Sequence, residues 1–197
     1  MKRAALLAML IFLVSSAAAE DILRESFEGT PRKEPLVNTW GDTPAKVLVN
    51  ATEPGAGAGG TAACRLRLEF PKEAKHNLSY WSYTLPEQVP LVPQLESISL
   101  AAKTNVPVSI KVAIAPYGFI YHGPGVGPSD KWQKVTLPDA YQKLKKWCEG
   151  GKQTAEGAWI SGVIVALGGT KGAAPDVTVD DIAIEGPQGA AQAVRGE

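Results

Sequence analysis

The sequence has 197 residues, of which 20 are Lys or Arg, 20 are Asp or Glu and 45% are hydrophobic. This length accommodates one domain with a substantial core and requires no second domain. The balanced charge argues against a nucleic-acid-binding groove, which would need a concentration of basic residues.

The first 19 residues have the pattern of a secretory signal peptide. Lys2 and Arg3 form a basic start, residues 4–14 are apolar, and the alanines at 17–19 form a cleavage site. The apolar run is too short to span a bilayer. Without Lys2 and Arg3, 18 of the 20 basic residues remain against 20 acidic residues, which leaves a net charge of −2. We therefore expect a secreted or periplasmic protein without a membrane span.

The chain from Ile22 onward is typical of an all-β protein. Short runs that contain valine and isoleucine alternate with glycine and proline, as in a sandwich or barrel. Ten strands are predicted, which is enough for a two-sheet antiparallel sandwich, or jelly roll. They span residues 22–27, 45–49, 63–70, 78–85, 97–103, 106–115, 119–122, 133–137, 160–167 and 177–185.

One short helix is predicted among the strands. Asp139 and Gln142 have the spacing of a capping box, and two glycines at 150–151 end the helical pattern. An apolar face at helical spacing indicates a helix that lies across a sheet edge or an end of the sandwich. This face contains Tyr141, Leu144 and either Trp147 or Cys148.

Three remaining segments bound the domain. Gly55, Gly57 and Gly60 match a nucleotide-binding pattern, but they lead into a strand and not a helix, so we interpret residues 53–60 as a flexible loop. Residues 187–197, rich in Ala, Gly and Gln, are predicted to be a disordered tail. The folded domain is therefore expected to cover residues 20–186.

The two cysteines, Cys64 and Cys148, have two interpretations. An exported chain permits a disulfide, and closing so long a loop would contribute about 4 kcal/mol. The alternative is two separate buried thiols, because the sequence does not show whether the two side chains meet.

Acidic motifs open and close the predicted sandwich. The first strand leads into Phe27-Glu28-Gly29, and the last strand contains Asp180-Asp181-Ile182, so we expect the two strands to lie side by side. Together with the strand pair at 95–114 and the Trp-Gln-Lys-Val strand at 132–135, the order of these motifs resembles the galactose-binding-like jelly roll seen in many carbohydrate-binding modules. The resemblance spans most of residues 22–186.

This resemblance implies a structural calcium ion where the first and last strands meet. Calcium takes several oxygen ligands, including carboxylates and backbone carbonyls. Glu28 and Asp180 are the expected ligands and Glu25 is an additional one, although Ser26 stands where the family often has an acid. The alternative is that Glu28 and Asp180 cap a strand end or meet basic neighbours.

The resemblance also implies a glycan-binding face, which would combine aromatic rings with a few polar groups. Alternation along the strand at 78–85 places Asn77, Trp81 and Tyr83 on one face, so these three are candidate ligand-binding residues. The alternative is that Trp81 and Tyr83 belong to the core. Tyr121 and His122, close to a glycine-rich loop, are the second group of candidates.

The sequence contains no set of catalytic residues that can be assembled from a motif. It lacks the G-x-S-x-G, C-x-x-C and H-E-x-x-H patterns, and only His76 and His122 could act as imidazole bases. We therefore predict a non-catalytic carbohydrate-binding domain whose partner is a glycan, a polysaccharide or another exported protein. The alternatives are a structural or protein-interaction module, and a glycoside hydrolase that uses two carboxylates.

Overall fold

The computed structural model describes residues 19–28, 35–40, 45–73, 78–168, 172–187 and 190–191. Within these ranges the chain forms two antiparallel sheets and one α-helix, which confirms the predicted two-sheet β-sandwich. The elements are β1 (Glu20–Glu25), β2 (Leu36–Trp40), β3 (Lys46–Glu53), β4 (Ala63–Glu69), β5 (Leu78–Pro90), β6 (Ser97–Thr104), β7 (Val108–Ala115), β8 (Phe119–Val126), β9 (Ser129–Pro138), α1 (Ala140–Gly150), β10 (Trp159–Gly168) and β11 (Asp176–Gly186).

The two sheets have different strand orders. The six-stranded sheet runs β3-β4-β11-β6-β9, with β1 paired to β11, and the five-stranded sheet runs β2-β5-β10-β7-β8. The pairing of β1 with β11 sets Glu25 opposite Ile182, so the opening and closing strands lie side by side as predicted.

The core lies between the sheets, because alternate residues of each strand point inward. In β4, for example, Leu66 and Leu68 are buried while Arg67 is exposed. Each fully buried Leu or Ile stabilises the fold by about 1.5–3 kcal/mol relative to an exposed one. The largest fully buried side chains are Leu66, Leu68, Trp81, Ile98, Leu100, Ile110, Ile114, Leu137, Leu144, Ile160, Leu167 and Ile182.

The structure differs from the predicted elements most clearly at strands β2 and β8, and strands β3, β5 and β9 are also longer than predicted. No strand was predicted at Leu36–Trp40, which pairs with β5 at the edge of the five-stranded sheet. Strand β8 extends beyond the predicted end at 122 and continues through Gly123 to Val126. A Cβ at Gly123 would lie 2.9 Å from the carbonyl oxygen of Ile110, so only glycine lets the backbones approach this closely.

Helix α1 lies between β9 and β10 in the chain, within the predicted bounds. Leu144 and Cys148 face the core, whereas Trp147 is 44% exposed. Asp139 stands at the helix start with a left-handed φ of 52°, and its side chain makes no capping hydrogen bond. The predicted capping box therefore does not form.

Cys64 and Cys148 are both buried and are not joined by a disulfide. Ala190 and Ala191, which fall in the predicted tail, are also buried, because the methyl group of Ala190 packs beside Gly186. Residues 188–189 and 192–197 of that tail, and residues 1–18 of the predicted signal peptide, lie outside the described residues. In the described ranges no helix is long and apolar enough to cross a membrane.

Candidate functional site

The two faces of β5 divide as the alternation predicts, but Trp81 and Tyr83 point inward. They are 1% and 4% exposed, and their rings stack with centroids 6.3 Å apart. Phe27 adds an edge-on contact to Tyr83 at 5.7 Å. The gap between two packed sheets requires large apolar side chains, and these rings fill it. Trp81 and Tyr83 are therefore core residues, which corrects their assignment to a ligand-binding surface.

The other candidate ligand residues are separated by the structure. Asn77 lies outside the described residues. Tyr121 pairs in register with the fully buried Val112, so it is on the inner side of the edge strand β8, half-buried against the core. His122 is exposed and points to the opposite side. Of the residues predicted to bind a ligand, only His122 is described on the outer face, meaning the side of the five-stranded sheet directed away from the core.

Two rows of paired residues cross this outer face. The central strand β10 contributes Ile164 and Ala166, which are 6% and 5% exposed although they point away from the core. In register they lie beside Lys111 and Ser109 of β7 and beside Ser82 and Tyr80 of β5. The first row is His122, Lys111, Ile164, Ser82 and Leu36, and the second is Gly125, Ser109, Ala166, Tyr80 and Asn38.

Lys111 lies near the centre of the outer face and is only 6% exposed. Its Nζ donates a hydrogen bond of 3.1 Å to Tyr80 Oη and lies 4.7 Å from the centre of the Tyr80 ring. The same Nζ is 3.2 Å from His122 Nδ1. Burying an ammonium group is costly without partners, and here the partners are a phenol, an aromatic face and an imidazole.

His122 accepts from Lys111 in its neutral form. Partial desolvation of the ring, and then the charge of Lys111, lower the pKa of His122 below its ordinary value. None of the ion pairs among the described residues includes Lys111. Lys111 and His122 together therefore carry one positive charge, on Lys111, and no carboxylate in the described part of the chain forms an ion pair with it.

Trp147 of helix α1 borders the outer face beside β8. Its ring meets Tyr121 edge-on at 5.9 Å and lies 6.3 Å from the ring of His122. With Ile120, Gly150 and Gly151 it lines a cavity of about 340 Å³. An exposed indole thus adjoins the imidazole, and the imidazole contacts the ammonium that bonds the phenol, so ring faces and polar donors follow one another from the helix onto the sheet.

Sequence reasoning overlooked Tyr80, Lys111 and Trp147. The signal for Lys111 was present, because it is the one charged residue in a strand whose alternate positions, such as Ile110 and Val112, are apolar. A charge at an outward position of such a strand marks the solvent side of the sheet. Trp147 and Cys148 were alternative members of the predicted apolar face, and the structure buries Cys148, with Ala140 and Leu144, and leaves Trp147 exposed.

The residues predicted to bind calcium are hydrogen-bonded to protein donors. Asp180, 2% exposed, accepts from the amides of Ala58 at 3.0 Å and Asp181 at 2.7 Å, and from the hydroxyl of Thr61 at 3.1 Å. Glu28 accepts from the amide of Ala62. These bonds join the last strand and the segment after the first strand to the loop at 57–62.

Glu25 occupies a different position, inside the sandwich. It is 6% exposed and accepts hydrogen bonds from the hydroxyl of Tyr83 and, at 2.9 Å, from the amide of Phe27. The predicted triad of carboxylates is therefore divided between the core and the loop.

Oxygen atoms also converge beside Gly57. A Cβ there would lie 2.6 Å from the carbonyl oxygen of Ala62 and 2.7 Å from Asp180 Oδ2, and would also contact Thr61 Oγ1. A carboxylate, a hydroxyl and a carbonyl form a donor set that suits calcium. Among the described residues no group of three or more His, Cys, Asp or Glu side chains could hold a metal ion, so such a site would depend on Thr61 and on backbone carbonyls.

A larger cavity of about 950 Å³ lies on the six-stranded sheet and contains the carboxylates of Glu53 and Asp176. Arg65 contacts both, with bonds of 2.9 and 2.7 Å to Asp176 and a longer contact of 3.5 Å to Glu53. Its hydrogen bonds lower the pKa of Asp176, which therefore stays ionised. A glycoside hydrolase needs one protonated carboxyl, and Asp176 does not supply it.

Comparison with known proteins relates this fold to carbohydrate-binding modules. The family 11 carbohydrate-binding module of the Clostridium thermocellum cellulase Lic26A-Cel5E aligns with a TM-score of 0.54 and 13% identity, over 87% of this chain and 96% of that one. The same type of module in complex with a β-1,3-1,4-mixed-linked tetrasaccharide aligns with a TM-score of 0.56 and 15% identity, over 87% and 98%.

A third structure, from a study of promiscuous specificity in carbohydrate-binding modules of the β-sandwich superfamily, aligns with a TM-score of 0.56 and 10% identity. It covers 81% of this chain and 60% of that chain. Neither a protein-family model nor a curated protein sequence matches the chain. The chain thus has the β-sandwich fold of carbohydrate-binding modules, as the resemblance in its sequence indicated.

Proposed function

We propose that this chain is a non-catalytic carbohydrate-binding domain of an exported protein, and that it binds its glycan on the outer face of the five-stranded sheet. The observation that carries the proposal is the exposed ring of Trp147 beside His122, which in turn contacts Lys111, itself hydrogen-bonded to Tyr80. Aromatic rings cover the apolar C–H faces of a sugar, and neighbouring donors bind its hydroxyls. The fold shared with carbohydrate-binding modules supports the same function.

A glycan array followed by titration calorimetry tests this proposal. Trp147→Ala is expected to weaken binding by roughly thirtyfold, since truncating a central contact aromatic costs about 2 kcal/mol. Leu48→Ala is the matched control, because Leu48 is 43% exposed and lies on the six-stranded sheet. Equal losses in both variants, or full affinity in Trp147→Ala, would contradict the proposed location.

The alternative function is a structural or protein-interaction module. The burial of Trp81 and Tyr83 favours it, because those two rings are unavailable to a sugar. Leu36, 55% exposed at the far end of the first row, would add apolar area to a protein contact. Absence of any glycan from the array, together with a protein partner lost on Leu36→Ser, would establish this alternative.

A structural calcium beside Gly57 is part of the proposal. Asp180, Thr61 and the carbonyl of Ala62 would hold the ion, and Glu28 is joined to the same loop through Ala62. An ion bound only to the folded state would raise the melting temperature. We expect calcium to raise it in wild type and not in Asp180→Asn. Identical melting of the wild type in calcium and in chelator would remove the ion from the proposal and leave the hydrogen bonds of Asp180 to hold the loop.

A further inference from the structure

We infer that Lys111 and His122 form an anion subsite on the outer face, and that the bound glycan carries an acidic group, either the carboxylate of a uronic acid or a sulfate ester. This inference rests on the proposed function and adds the chemical class of the ligand. It starts from the charge of Lys111, its burial and the residues that surround it.

Lys111 differs from the other basic residues that make close contacts in the described chain. Lys134 is 61% exposed and lies 3.7 Å from Glu185, and Lys145 is 42% exposed and lies 3.7 Å from Glu149. Lys111 is far more buried, yet its described contacts are neutral. A buried cation normally pairs with an anion, because removal from water costs more than neutral partners return. The missing anion is supplied by the ligand.

The two rows of described residues that cross the outer face at Lys111 are also free of acidic residues. The two rows that cross the outer face contain His122, Lys111, Ser82, Ser109, Tyr80 and Asn38 as their polar members, and none of their ten positions is Asp or Glu. An acidic sugar placed there meets no like charge in these rows. These two rows therefore favour an anion at Lys111 and nowhere repel it.

The hydrogen-bonding capacity of Lys111 fits an anionic acceptor. An ammonium group has three protons, and Tyr80 Oη and His122 Nδ1 accept two of them. Hydrogen bonds from a charged donor to a charged acceptor are about twice as strong as neutral ones. Ser82 and Ser109 on the adjacent positions provide hydroxyls for the rest of the sugar. A carboxylate or sulfate thus binds at Lys111 while the ring extends along β10.

Matched pairs of probes test the inference without altering the protein. Calorimetry would compare hexagalacturonate with its methyl ester, and a sulfated carrageenan oligosaccharide with its desulfated product. We expect at least one acidic probe to bind. Its neutral form should bind with an affinity that is lower by about tenfold or by a larger factor. If the acidic member of the galacturonate pair binds, the acidic group is a carboxylate; if the acidic member of the carrageenan pair binds, it is a sulfate.

Variants assign the effect to Lys111. Lys111→Met is expected to abolish the preference for the acidic probe, and Lys111→Arg to retain it. Lys131→Met is the control, because it removes an exposed charge from β9 in the other sheet. Thermal melting of each variant shows whether the fold is intact, and the probe comparison on the wild type remains decisive if Lys111→Met is unstable.

Three outcomes separate this inference from the proposed function. Equal affinity for acidic and neutral forms, or binding of neutral glycans only, overturns the anion subsite and leaves glycan binding in place. Preference for the acidic probe that persists in Lys111→Met and falls in Lys131→Met overturns the assignment to Lys111. Binding of no acidic probe and no glycan on the array overturns both proposals.

Discussion

The outward sides of the two sheets differ in how their charges are balanced. On the six-stranded sheet, Arg65 lies 2.7 Å from Asp176, and Lys134 lies 3.7 Å from Glu185. On the five-stranded sheet, the contacts that Lys111 makes with other described residues are to Tyr80 and His122. These charges of the first side are paired with one another, whereas Lys111 on the second side has no acidic partner among the described residues, and in our proposal a ligand supplies one. The difference indicates that a binding site is better located by a charged residue without an acidic partner than by the number of exposed charges.

A second contrast lies within β5, between its inward and outward aromatic residues. Trp81 and Tyr83 face the core and hold the sheets together, whereas Tyr80 faces outward and contacts Lys111. Neighbouring residues of one strand therefore divide stability and binding between them. The variants that follow test this division, beginning with the largest expected effect.

Trp81→Ala is expected to lower the free energy of unfolding by about 3–5 kcal/mol, because a large cavity replaces a ring that is 1% exposed. Urea denaturation of the purified domain measures the loss. Tyr80→Ala serves as the comparison and should cost much less stability while weakening glycan binding. A stable Trp81→Ala protein with reduced glycan affinity would return Trp81 to the ligand-binding surface.

Asp176→Asn tests the balanced side of the comparison. Asp176 and Arg65 are about one-third exposed, so losing their ion pair should cost about 0.5–1 kcal/mol at pH 7. Because the hydrogen bonds of Arg65 lower the pKa of Asp176 below 3.8, this contribution is present above the unfolded pKa and is lost as pH falls through the folded pKa.

The wild type and Asp176→Asn should therefore unfold at different urea concentrations at neutral pH and converge as the pH falls through the folded pKa of Asp176. Glycan affinity should not change, since Asp176 lies on the other sheet. A loss of affinity in Asp176→Asn without a loss of stability would show that the large cavity beside Arg65 binds the ligand instead.

Most of the fold could be predicted because strand alternation and turn residues are local signals. Ten predicted strands correspond to strands of the structure, and helix α1 falls within its predicted bounds. The unpredicted strand β2 is short and pairs along one side only, with β5. The end of β8 was missed because glycine and proline disfavour strands, although Gly123 is required there by the close approach of Ile110.

The candidate site was harder to predict for a reason of symmetry. Alternation separates Trp81 from Tyr80 but does not state which of them points inward, since exchanging the two faces leaves the pattern unchanged. That choice depends on the strands across the sandwich. Trp147 reaches His122 only because α1 packs beside β8, a contact between segments that are distant in sequence.

Lys111→Met has the smallest expected effect on stability and tests the comparison most directly. Replacing a buried ammonium group by an apolar side chain of similar length removes its desolvation cost together with its contacts to Tyr80 and His122. Such replacements are often neutral or stabilising, so we expect unfolding to change by less than about 1 kcal/mol. Lys134→Met, on the six-stranded sheet, should change the free energy of unfolding by a similarly small amount because Lys134 is 61% exposed.

The two variants should therefore match in urea denaturation and differ in affinity for an acidic glycan. A large destabilisation in Lys111→Met alone would mean that Lys111 serves the fold, and the contrast between the two sheets would then be structural in origin.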